Sequence, residues 1–279
     1  MNAPTQQEMH LWIVFVKNVC GIILDESKAY LVESRLSPLA RELGSATWQA
    51  LYDSVRTDAS GKLRRRVIDA ITTGETSFFR DTSPFELMKF KLIPDLIDAR
   101  RKVTPKGPIP LRIWSAASST GQETYSIAIT LREILGANSG IDARIFATDI
   151  SDKAIATASY GKYSRFDIER GMPVERLERN FLREGDFWRL RDEVRALTTF
   201  KTMNLLEPFT FPYRFDIIFC RNVAIYFSEP DRKRLFDRMG AVLSPDGCII
   251  IGSTESITGL CPQFESKRYL RAVFYQLKK

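Results

Sequence analysis

Apolar residues recur at helical spacing through the first hundred positions of the chain. In the segment 25–44 they fall roughly on one side of a predicted helix, which opens with acidic residues and ends at Gly44. The same kind of pattern predicts helices at residues 10–24, 45–56, 61–72 and 83–102. We therefore predict an all-helical N-terminal domain over residues 1–102, followed by a proline-rich linker at 103–110.

From Leu111 onward, short apolar runs alternate with amphipathic segments. Strands are predicted at 111–116, 143–150, 215–222, 246–254 and 269–279, and helices at 123–135, 151–161 and 229–243. This alternation predicts a mostly parallel sheet with right-handed crossovers. Residues 162–200 interrupt it, and we interpret them as an inserted, small antiparallel β-subdomain. The predicted fold class is α/β, with a doubly wound, Rossmann-like domain over residues 111–279 after the helical domain.

The loop WSAASSTGQE (114–123) joins the first predicted strand to the first helix of this domain and consists mainly of small residues. In parallel sheets, ligands bind beyond the carboxyl ends of the strands, and small side chains let a nucleoside approach the backbone there. The second strand ends at Asp149 and the third at Asn222, so three strand ends converge on one predicted pocket. An acid at the end of the second strand commonly accepts hydrogen bonds from ribose hydroxyls.

The dinucleotide fingerprint G-x-G-x-x-G is absent from this loop, whose one glycine is Gly121. A ribose-binding acid without a phosphate-binding loop favours S-adenosylmethionine (SAM) over a nicotinamide dinucleotide, because SAM carries adenine, ribose and an amino-acid tail but no phosphate. Each feature alone also fits a plain turn, a helix cap or a solvated acid. The prediction of a SAM site depends on the agreement of the three strand ends.

The amino-acid composition limits which kinds of reaction and partner the protein can have. The 279 residues include one histidine, His10, which argues against histidine-based acid–base catalysis and against a histidine-rich metal site. Four scattered cysteines lack metal-site or disulfide spacing, and we expect them to be buried, reduced thiols. The sequence shows neither an apolar run of roughly 20 residues nor a signal peptide, so we expect a cytoplasmic protein. The net charge of +7 admits a nucleic acid, an anionic surface or an acidic substrate and selects none of them.

Five blocks of sequence occur in an order and at spacings that resemble one protein family. They are TTGETSFFRD (72–81), IWSAASSTGQETYSIA (113–128), FATDIS (146–151), NLLEPF (204–209) and FDIIFCRNVAIYF (215–227). Together they resemble the chemoreceptor glutamate O-methyltransferases, the CheR family, over nearly the whole chain. The resemblance implies SAM-dependent methylation of glutamate carboxylates on bacterial chemoreceptors, which sets chemotaxis adaptation and releases S-adenosylhomocysteine (SAH).

The functional residues of the family are assigned to positions of this chain one motif at a time. The resemblance implies that the cofactor contacts are Thr76, Arg80, Glu123, Asp149, Asn204, Leu205, Arg221, Asn222 and Val223. It also places Arg80 and Tyr226 nearest to the transferred methyl group, and Glu123 at the polar end of the methionine part. One position departs from the family pattern. Gly74 stands where many members have asparagine, which removes one side-chain contact to the cofactor and bears on its affinity.

This chemistry needs few catalytic groups. The methyl donor is an activated sulfonium, and a glutamate acceptor, with an ordinary pKa of about 4.3, is already ionised at pH 7. Catalysis then comes mainly from holding the carboxylate oxygen, the methyl carbon and the sulfur in line. We expect Arg80 to orient the carboxylate by a charge-assisted hydrogen bond and Tyr226 to offer a positioning hydroxyl. The alternative is structural: Arg80 pairs with Asp81 or Glu75, and Tyr226 packs under its neighbours.

The expected partner is the cytoplasmic domain of a chemoreceptor. Because its methylation region is a helical coiled coil bearing glutamates, we expect a basic docking surface on the N-terminal helices. The candidates are Lys28, Arg35, Arg41 and Arg64–Arg66, for which a solvated helix surface is the alternative. We expect a monomer that is recruited to membrane receptor arrays, with no nucleic acid partner and no direct membrane insertion.

The insertion at 162–200 is expected to recruit the receptor and to take no part in the chemistry. Some family members bind a C-terminal receptor pentapeptide there as an added edge strand. In this chain the turn REGDFW (183–188) is short and lacks a glycine-rich extension. We therefore predict receptor methylation that does not require the pentapeptide.

Two other classes of function remain as alternatives. A nucleic-acid methyltransferase would suit the basic run KLRRRV (62–67), but nucleic-acid amino methyltransferases usually carry D/N-P-P-Y/F where this chain has CRNV (220–223). A non-catalytic domain that only senses the cofactor would have a degenerate site, and the motifs here are nearly intact. Methyl transfer to purified receptor, or its absence, separates the three classes.

Overall fold

The computed structural model describes residues 3–24, 29–72, 74–136 and 140–278 of the chain. The N-terminal helices are α1 (Gln6–Cys20), α2 (Ala29–Glu42), α3 (Trp48–Thr57) and α4 (Lys62–Ile71). Local sequence sets their ends: Thr5 caps α1 and Thr47 caps α3 through their side chains, while Gly21 ends α1 with a φ of 74°. The four helices form a bundle whose apolar core includes Trp12 and Leu51.

A second helical stretch follows the bundle but packs elsewhere. It comprises α5 (Ser83–Leu87), a π-helical turn (Met88–Leu92) and α6 (Ile93–Val103). Its buried side chains, among them Phe85 and Ile93, share one apolar core with the large β-sheet, whereas the buried core residues of the bundle end at Ile71. The packing therefore favours a domain boundary near residue 73 over the predicted linker at 103–110.

The strands build two sheets. In chain order they are β1 (Ile109–Ala116), β2 (Ile141–Asp149), β3 (Lys162–Ser164), β4 (Phe181–Glu184), β5 (Phe187–Leu190), β6 (Thr198–Thr202), β7 (Phe215–Cys220), β8 (Leu243–Ile251), β9 (Phe264–Tyr269) and β10 (Ala272–Leu277). Within the described residues, the large sheet has the order β6-β2-β1-β7-β8-β10-β9. It is parallel from β6 to β8, and β10 is antiparallel to both neighbours. The strand order reverses at β1, which marks the crevice where such sheets bind ligands.

Helices cover both faces of the large sheet. The remaining helices are α7 (Gln122–Leu135), α8 (Asp152–Tyr160), α9 (Arg165–Glu169), α10 (Val174–Asn180), α11 (Asp192–Arg195) and α12 (Glu229–Val242). Successive residues of β1 point to opposite faces, so Ile113 packs in the core that holds α7 and Trp114 packs in the core that holds α12. The chain thus forms the doubly wound sheet that the alternating pattern predicts. Every described helix is too short or too polar to span a membrane.

The inserted subdomain is present, with one difference from the prediction. Its small antiparallel sheet has the order β3-β5-β4. However, β6 (Thr198–Thr202) pairs in parallel with β2 and belongs to the large sheet, so the insertion ends before residue 198. The C-terminal segment also forms an antiparallel pair, β9 and β10, where the sequence predicts one strand. The alternation along β9 is weak because four of its six residues are charged or polar and largely exposed.

Candidate active site

A cavity of about 290 Å³ opens where β1, β2 and β7 end. Its wall includes residues of the segment 74–80, of the loops 117–120 and 221–227 and of the segment 149–157, and the helical bundle contributes Cys20 and Asp69. The lining includes every residue predicted to bind the cofactor or to act near the methyl group: Thr76, Arg80, Glu123, Asp149, Asn204, Leu205, Arg221, Asn222, Val223 and Tyr226. The structure brings these residues together, and their individual roles stay predictions.

The small residues after β1 form a tight turn beside the cavity. Ala117 and Ser119 take positive φ angles of 60° and 49°, and Gly121 takes one of 94°. A Cβ atom on Gly121 would lie 2.8 Å from the Cβ of Ala158 and 2.9 Å from the hydroxyl of Tyr163. Glycine is therefore required by the packing of α7 against α8 and the insertion, and the small side chains before it leave the backbone open to a ligand.

Asp149 ends β2, and two backbone amides hold its carboxylate. Its Oδ2 accepts from the amide of Ser119 at 2.8 Å, and its Oδ1 accepts from the amide of Ser151 at 2.9 Å. Burial raises the pKa of Asp149; the amide hydrogen bonds oppose this rise and the neighbouring Asp69 carboxylate adds to it. Each carboxylate oxygen has a further lone pair, so Asp149 can still accept hydrogen bonds from two ribose hydroxyls.

Arg221 is a buried cation that joins three parts of the site. Its side chain is 2% exposed and pairs with Glu123 at 2.9 Å and with Asp81 at 2.8 Å. It also donates to the backbone carbonyl of Arg80 at 2.9 Å, and Ser115 donates to Glu123 at 2.8 Å. This network fixes Glu123 in the cavity wall. Each carboxylate oxygen of Glu123 can accept one more hydrogen bond, for example from the ammonium group of an amino-acid tail.

Arg80 lines the cavity and has no carboxylate partner among the described residues. Its guanidinium donates to the backbone carbonyl of Glu75 at 3.3 Å. The two carboxylates named as its alternative partners pair elsewhere. Asp81 binds Arg221 at 2.8 Å. Glu75 binds Arg170 at 3.1 Å. The charge of Arg80 is therefore available to a carboxylate that enters the cavity.

Glu255, which the motifs did not single out, holds the loop that carries Tyr226. Its carboxylate accepts from the amides of Asn222 at 2.7 Å, Gly252 at 2.7 Å and Ile225 at 3.2 Å. A Cβ atom on Gly252 would lie 2.6 Å from Oε2 of Glu255, so glycine makes room for the carboxylate. Tyr226 is 37% exposed at the cavity and is not packed underneath its neighbours. The available signal was the run of small residues and an acid, GSTES, at the end of a predicted strand.

Asp69 is a second residue that sequence reasoning missed. It lies on α4 of the bundle and lines the cavity beside Asp149. Its carboxylate accepts from the hydroxyl of Ser151 at 2.6 Å and from the amide of Lys153 at 3.3 Å. The bundle therefore contacts the start of α8, directly after the strand end that carries Asp149. The pattern of α4 gave no signal of this contact, because the contact joins positions more than 80 residues apart.

The inserted subdomain packs against the segment 74–81. The guanidinium of Arg176 lies 4.1 Å from the ring centroid of Phe79. Gly171 passes so close to Phe78 that a Cβ atom on it would lie 2.1 Å from the Phe78 carbonyl oxygen. These contacts support the segment that carries the predicted cofactor residues. Recruitment of a receptor by the insertion stays a prediction.

The predicted docking residues that the structure describes, Arg35, Arg41 and Arg64–Arg66, lie on the bundle and do not line the cavity. Lys28 lies outside the described residues. Arg35 is half-buried and donates to the backbone carbonyl of Ile71, at the end of α4. A cation at that position stabilises the end of α4, so Arg35 has a structural role whatever it contributes to docking. Arg41, in contrast, is exposed near the end of α2.

The three consecutive arginines of α4 also differ in their exposure and in their ion pairs. Arg64 is exposed and carries no ion pair within the part of the chain that the structure describes. Arg65 lies 3.6 Å from Asp152. Arg66 pairs with Glu42. Exposed ion pairs contribute little to stability, but they lower the charge that is available to a partner. Arg64 is therefore the member of this run with the most accessible charge.

The lining suits SAM. Asp149 offers acceptors for ribose hydroxyls, and Glu123 offers an acceptor for an ammonium group. The wall formed by residues 117–120 is built from small side chains, which suits close approach to the backbone. Among the described residues, His, Cys, Asp and Glu side chains form no group of three that could hold a metal ion. All four cysteines are free and buried.

Comparison with known proteins agrees with the fold and with the predicted cofactor. Residues 74–272 match the family model described as the SAM binding domain of CheR methyltransferase, and residues 7–72 match the model of its all-alpha domain. The chain is 39% identical over 277 residues to chemotaxis protein methyltransferase 1 of Vibrio cholerae, which covers 98% of each chain. It is 38% identical over 269 residues to the chemotaxis protein methyltransferase Cher2 of Pseudomonas putida, which covers 95% of this chain and 96% of that protein.

These matches define the protein as a SAM-dependent methyltransferase with a helical N-terminal domain. The chain belongs to the CheR methyltransferase family. The family, the fold class, the cofactor and the enzyme class predicted from the sequence are thereby confirmed. The two family models meet at residue 73, in agreement with the packing of α5 and α6 on the sheet.

Proposed function

We propose that the protein methylates glutamate side chains in the cytoplasmic domains of bacterial chemoreceptors and so sets chemotaxis adaptation. The observation that carries the proposal is the state of Arg80, a cavity-lining cation without a carboxylate partner among the described residues. A glutamate entering the cavity supplies the missing anion. Family membership and the names of the relatives, which are chemotaxis protein methyltransferases, support the choice of substrate.

The residues of the chain hold the reactants and transfer no proton in this scheme. SAM supplies a methyl group already activated on a sulfonium. Asp149 binds the ribose and Glu123 binds the tail. Arg80 and Tyr226 orient the substrate carboxylate, which is ionised at neutral pH and needs no general base. His10 does not line the cavity, in agreement with chemistry that proceeds without a histidine.

The test is transfer of a tritiated methyl group from SAM to purified receptor cytoplasmic fragments. We expect incorporation that is released by mild base, as a methyl ester is. Fragments in which the methylation-region glutamates are replaced by alanine serve as the control and should not be labelled. If intact fragments stay unlabelled while calorimetry shows SAM binding, the receptor is not the substrate. Base-stable label in nucleic acid would instead support the nucleic-acid alternative.

Receptor docking through the bundle predicts a specific effect of charge reversal. We expect Arg41→Glu with Arg64→Glu to raise the receptor KM, because both charges are exposed and the proposed partner is acidic. The affinity for SAM should not change, since neither residue lines the cavity. Arg35 is left intact because its contact with Ile71 would confuse docking with stability. The measurement is KM at several salt concentrations, because screening shortens the range of the attraction to about 10 Å at 0.1 M.

Arg271→Glu is the matched control for this charge reversal. It removes an exposed arginine from the β9–β10 connection and should leave the receptor KM unchanged. A receptor KM that is insensitive both to salt and to the double reversal would show that the docking surface lies elsewhere.

The monomeric state, recruitment to receptor arrays and independence from the C-terminal pentapeptide also remain proposals.

Replacing Gly74 with asparagine, the residue of many family members at this position, is predicted to raise the affinity for SAM. A Cβ atom at this position would contact only the Ser119 hydroxyl, at an ordinary 3.4 Å. Gly74→Asn should therefore fold normally and, by adding one polar contact to the cofactor, lower the Kd for SAM about 3- to 10-fold. Calorimetry with SAM and SAH provides the measurement. Gly74→Ala controls for the loss of backbone freedom, and equal affinities of the two variants would contradict the prediction.

A further inference from the structure

Ser118 belongs to the wall of the cofactor cavity, and its buried hydroxyl has no hydrogen-bond partner among the described residues. The residue is 1% exposed and belongs to the cavity lining. Its amide donates to the carbonyl of Thr148 at 2.8 Å, and its carbonyl accepts from the amide of Gly121 at 3.0 Å. The backbone of Ser118 is thus satisfied by the turn, whereas its Oγ has no hydrogen-bond partner among the described residues.

The neighbouring hydroxyls of the same loop are all engaged. Ser115 donates to Glu123 at 2.8 Å. Ser119 donates to the carbonyl of Gly74 at 3.1 Å. Thr120 donates to the side chain of Gln122 at 2.8 Å. Buried polar groups in native proteins are almost always hydrogen-bonded, and a buried group left unpaired costs free energy. The hydroxyl of Ser118 therefore stands apart from the others in needing a partner that the described protein does not supply.

Acceptors for the cofactor's own donors are already present in the wall, on Asp149 and Glu123. The terminal nitrogens of Arg221 already bind Glu123, Asp81 and a backbone carbonyl, so they are not free to donate to the cofactor. SAM presents acceptor oxygens on its ribose and on the carboxylate of its tail, and a neutral hydroxyl suits either one. We propose that Ser118 is a further cofactor-binding residue, whose hydroxyl donates to one of these oxygens.

This inference depends on SAM as the cofactor and not on a receptor as the substrate. The experiment therefore measures binding of SAH by calorimetry without receptor, together with thermal unfolding of the ligand-free protein. Ser118→Ala should raise the Kd for SAH about 3- to 10-fold. It should leave the Tm of the ligand-free protein unchanged or raise it, because an unpaired buried hydroxyl is removed. This combination separates a binding role from a structural one.

Thr124 offers a matched control. Its hydroxyl is also buried and unpartnered among the described residues, but the residue does not line the cavity. Thr124→Val should affect the Tm of the ligand-free protein in the same direction as Ser118→Ala and leave the Kd for SAH unchanged. Should Ser118→Ala fail to fold, Ser118→Cys retains the volume with a weaker donor and should also raise the Kd.

A second ligand distinguishes the two candidate oxygens. 5′-Methylthioadenosine has the ribose but lacks the amino-acid tail. Weaker binding of both ligands to the Ser118 variant supports a bond to the ribose, and weaker binding of SAH alone supports a bond to the tail carboxylate. Unchanged Kd values for both ligands would overturn the proposal. So would a lower Tm that accompanies the loss of affinity, or an equal loss in Thr124→Val.

Discussion

Asp149→Ala is expected to weaken SAM binding by about 100-fold or more. The carboxylate is placed to accept from two ribose hydroxyls, and hydrogen bonds to charged groups contribute roughly 1.5–3 kcal/mol each. The change also removes the acceptor for the amides of Ser119 and Ser151, so the loop after β1 loses support at the same time. Both effects reduce affinity, and we expect calorimetry with SAH to show the combined loss.

Asp149→Asn separates the two effects. The amide oxygen can still accept from one backbone amide, while the negative charge is lost. We expect the asparagine variant to keep most of the stability of the wild type and yet to bind SAH far more weakly. If calorimetry shows wild-type affinity for the alanine variant, Asp149 does not belong to the cofactor site.

The raised pKa of Asp149 predicts how SAM affinity depends on pH. The ionised form accepts the ribose hydroxyls, and burial, the largest cause of the shift, favours the protonated form. Affinity should therefore be constant above the raised pKa and fall as the pH drops through it. The fall should begin at a higher pH than for an exposed aspartate. Calorimetry between about pH 7 and 4.5 measures the profile. Asp149→Asn should remove this inflection, and an identical profile in that variant would assign it to another group.

The sequence predicted the parts of the site that depend on strand ends. Asp149 ends β2 and Asn222 follows β7, and parallel strands bring their carboxyl ends to the same edge of the sheet. Helix ends were predictable for a similar reason. The caps at Thr47 and Ser151 act within three residues of the helix start. Information of this kind is local, so it can be read without knowledge of the tertiary packing.

Long-range pairing could not be predicted in this way. Asp69 reaches the cofactor site from a helix whose pattern shows only an apolar face, and Glu255 acts on backbone amides some 30 residues earlier in the chain. The domain boundary illustrates the same limit. An amphipathic helix such as α6 shows which of its faces is buried but not which apolar surface covers that face. The packing of α5 and α6 on the sheet became evident only from the structure.

Arg80→Ala is expected to lower kcat by about 100-fold, with a smaller effect on SAM affinity and almost none on folding. Stability should persist because the side chain makes one long hydrogen bond, to the Glu75 carbonyl at 3.3 Å, and no ion pair among the described residues. Turnover should fall because the substrate carboxylate loses the cation that aligns its oxygen with the methyl group, and a misplacement of about 1 Å can cost roughly 100-fold in rate. The measurement is methyl transfer at saturating SAM and receptor, with thermal unfolding of the same preparation.

Arg80→Lys tests whether orientation or charge alone is required. Lysine retains the positive charge but lacks the planar fork that binds a carboxylate through two parallel hydrogen bonds. We therefore expect the lysine variant to have a receptor KM close to that of the wild type, while most of the loss in kcat remains. Full recovery of kcat by lysine would show that Arg80 acts only through its charge. Wild-type kcat in the alanine variant at saturating receptor would remove Arg80 from the reaction, and the carboxylate would then have to be oriented by Tyr226 and the loop that Glu255 holds.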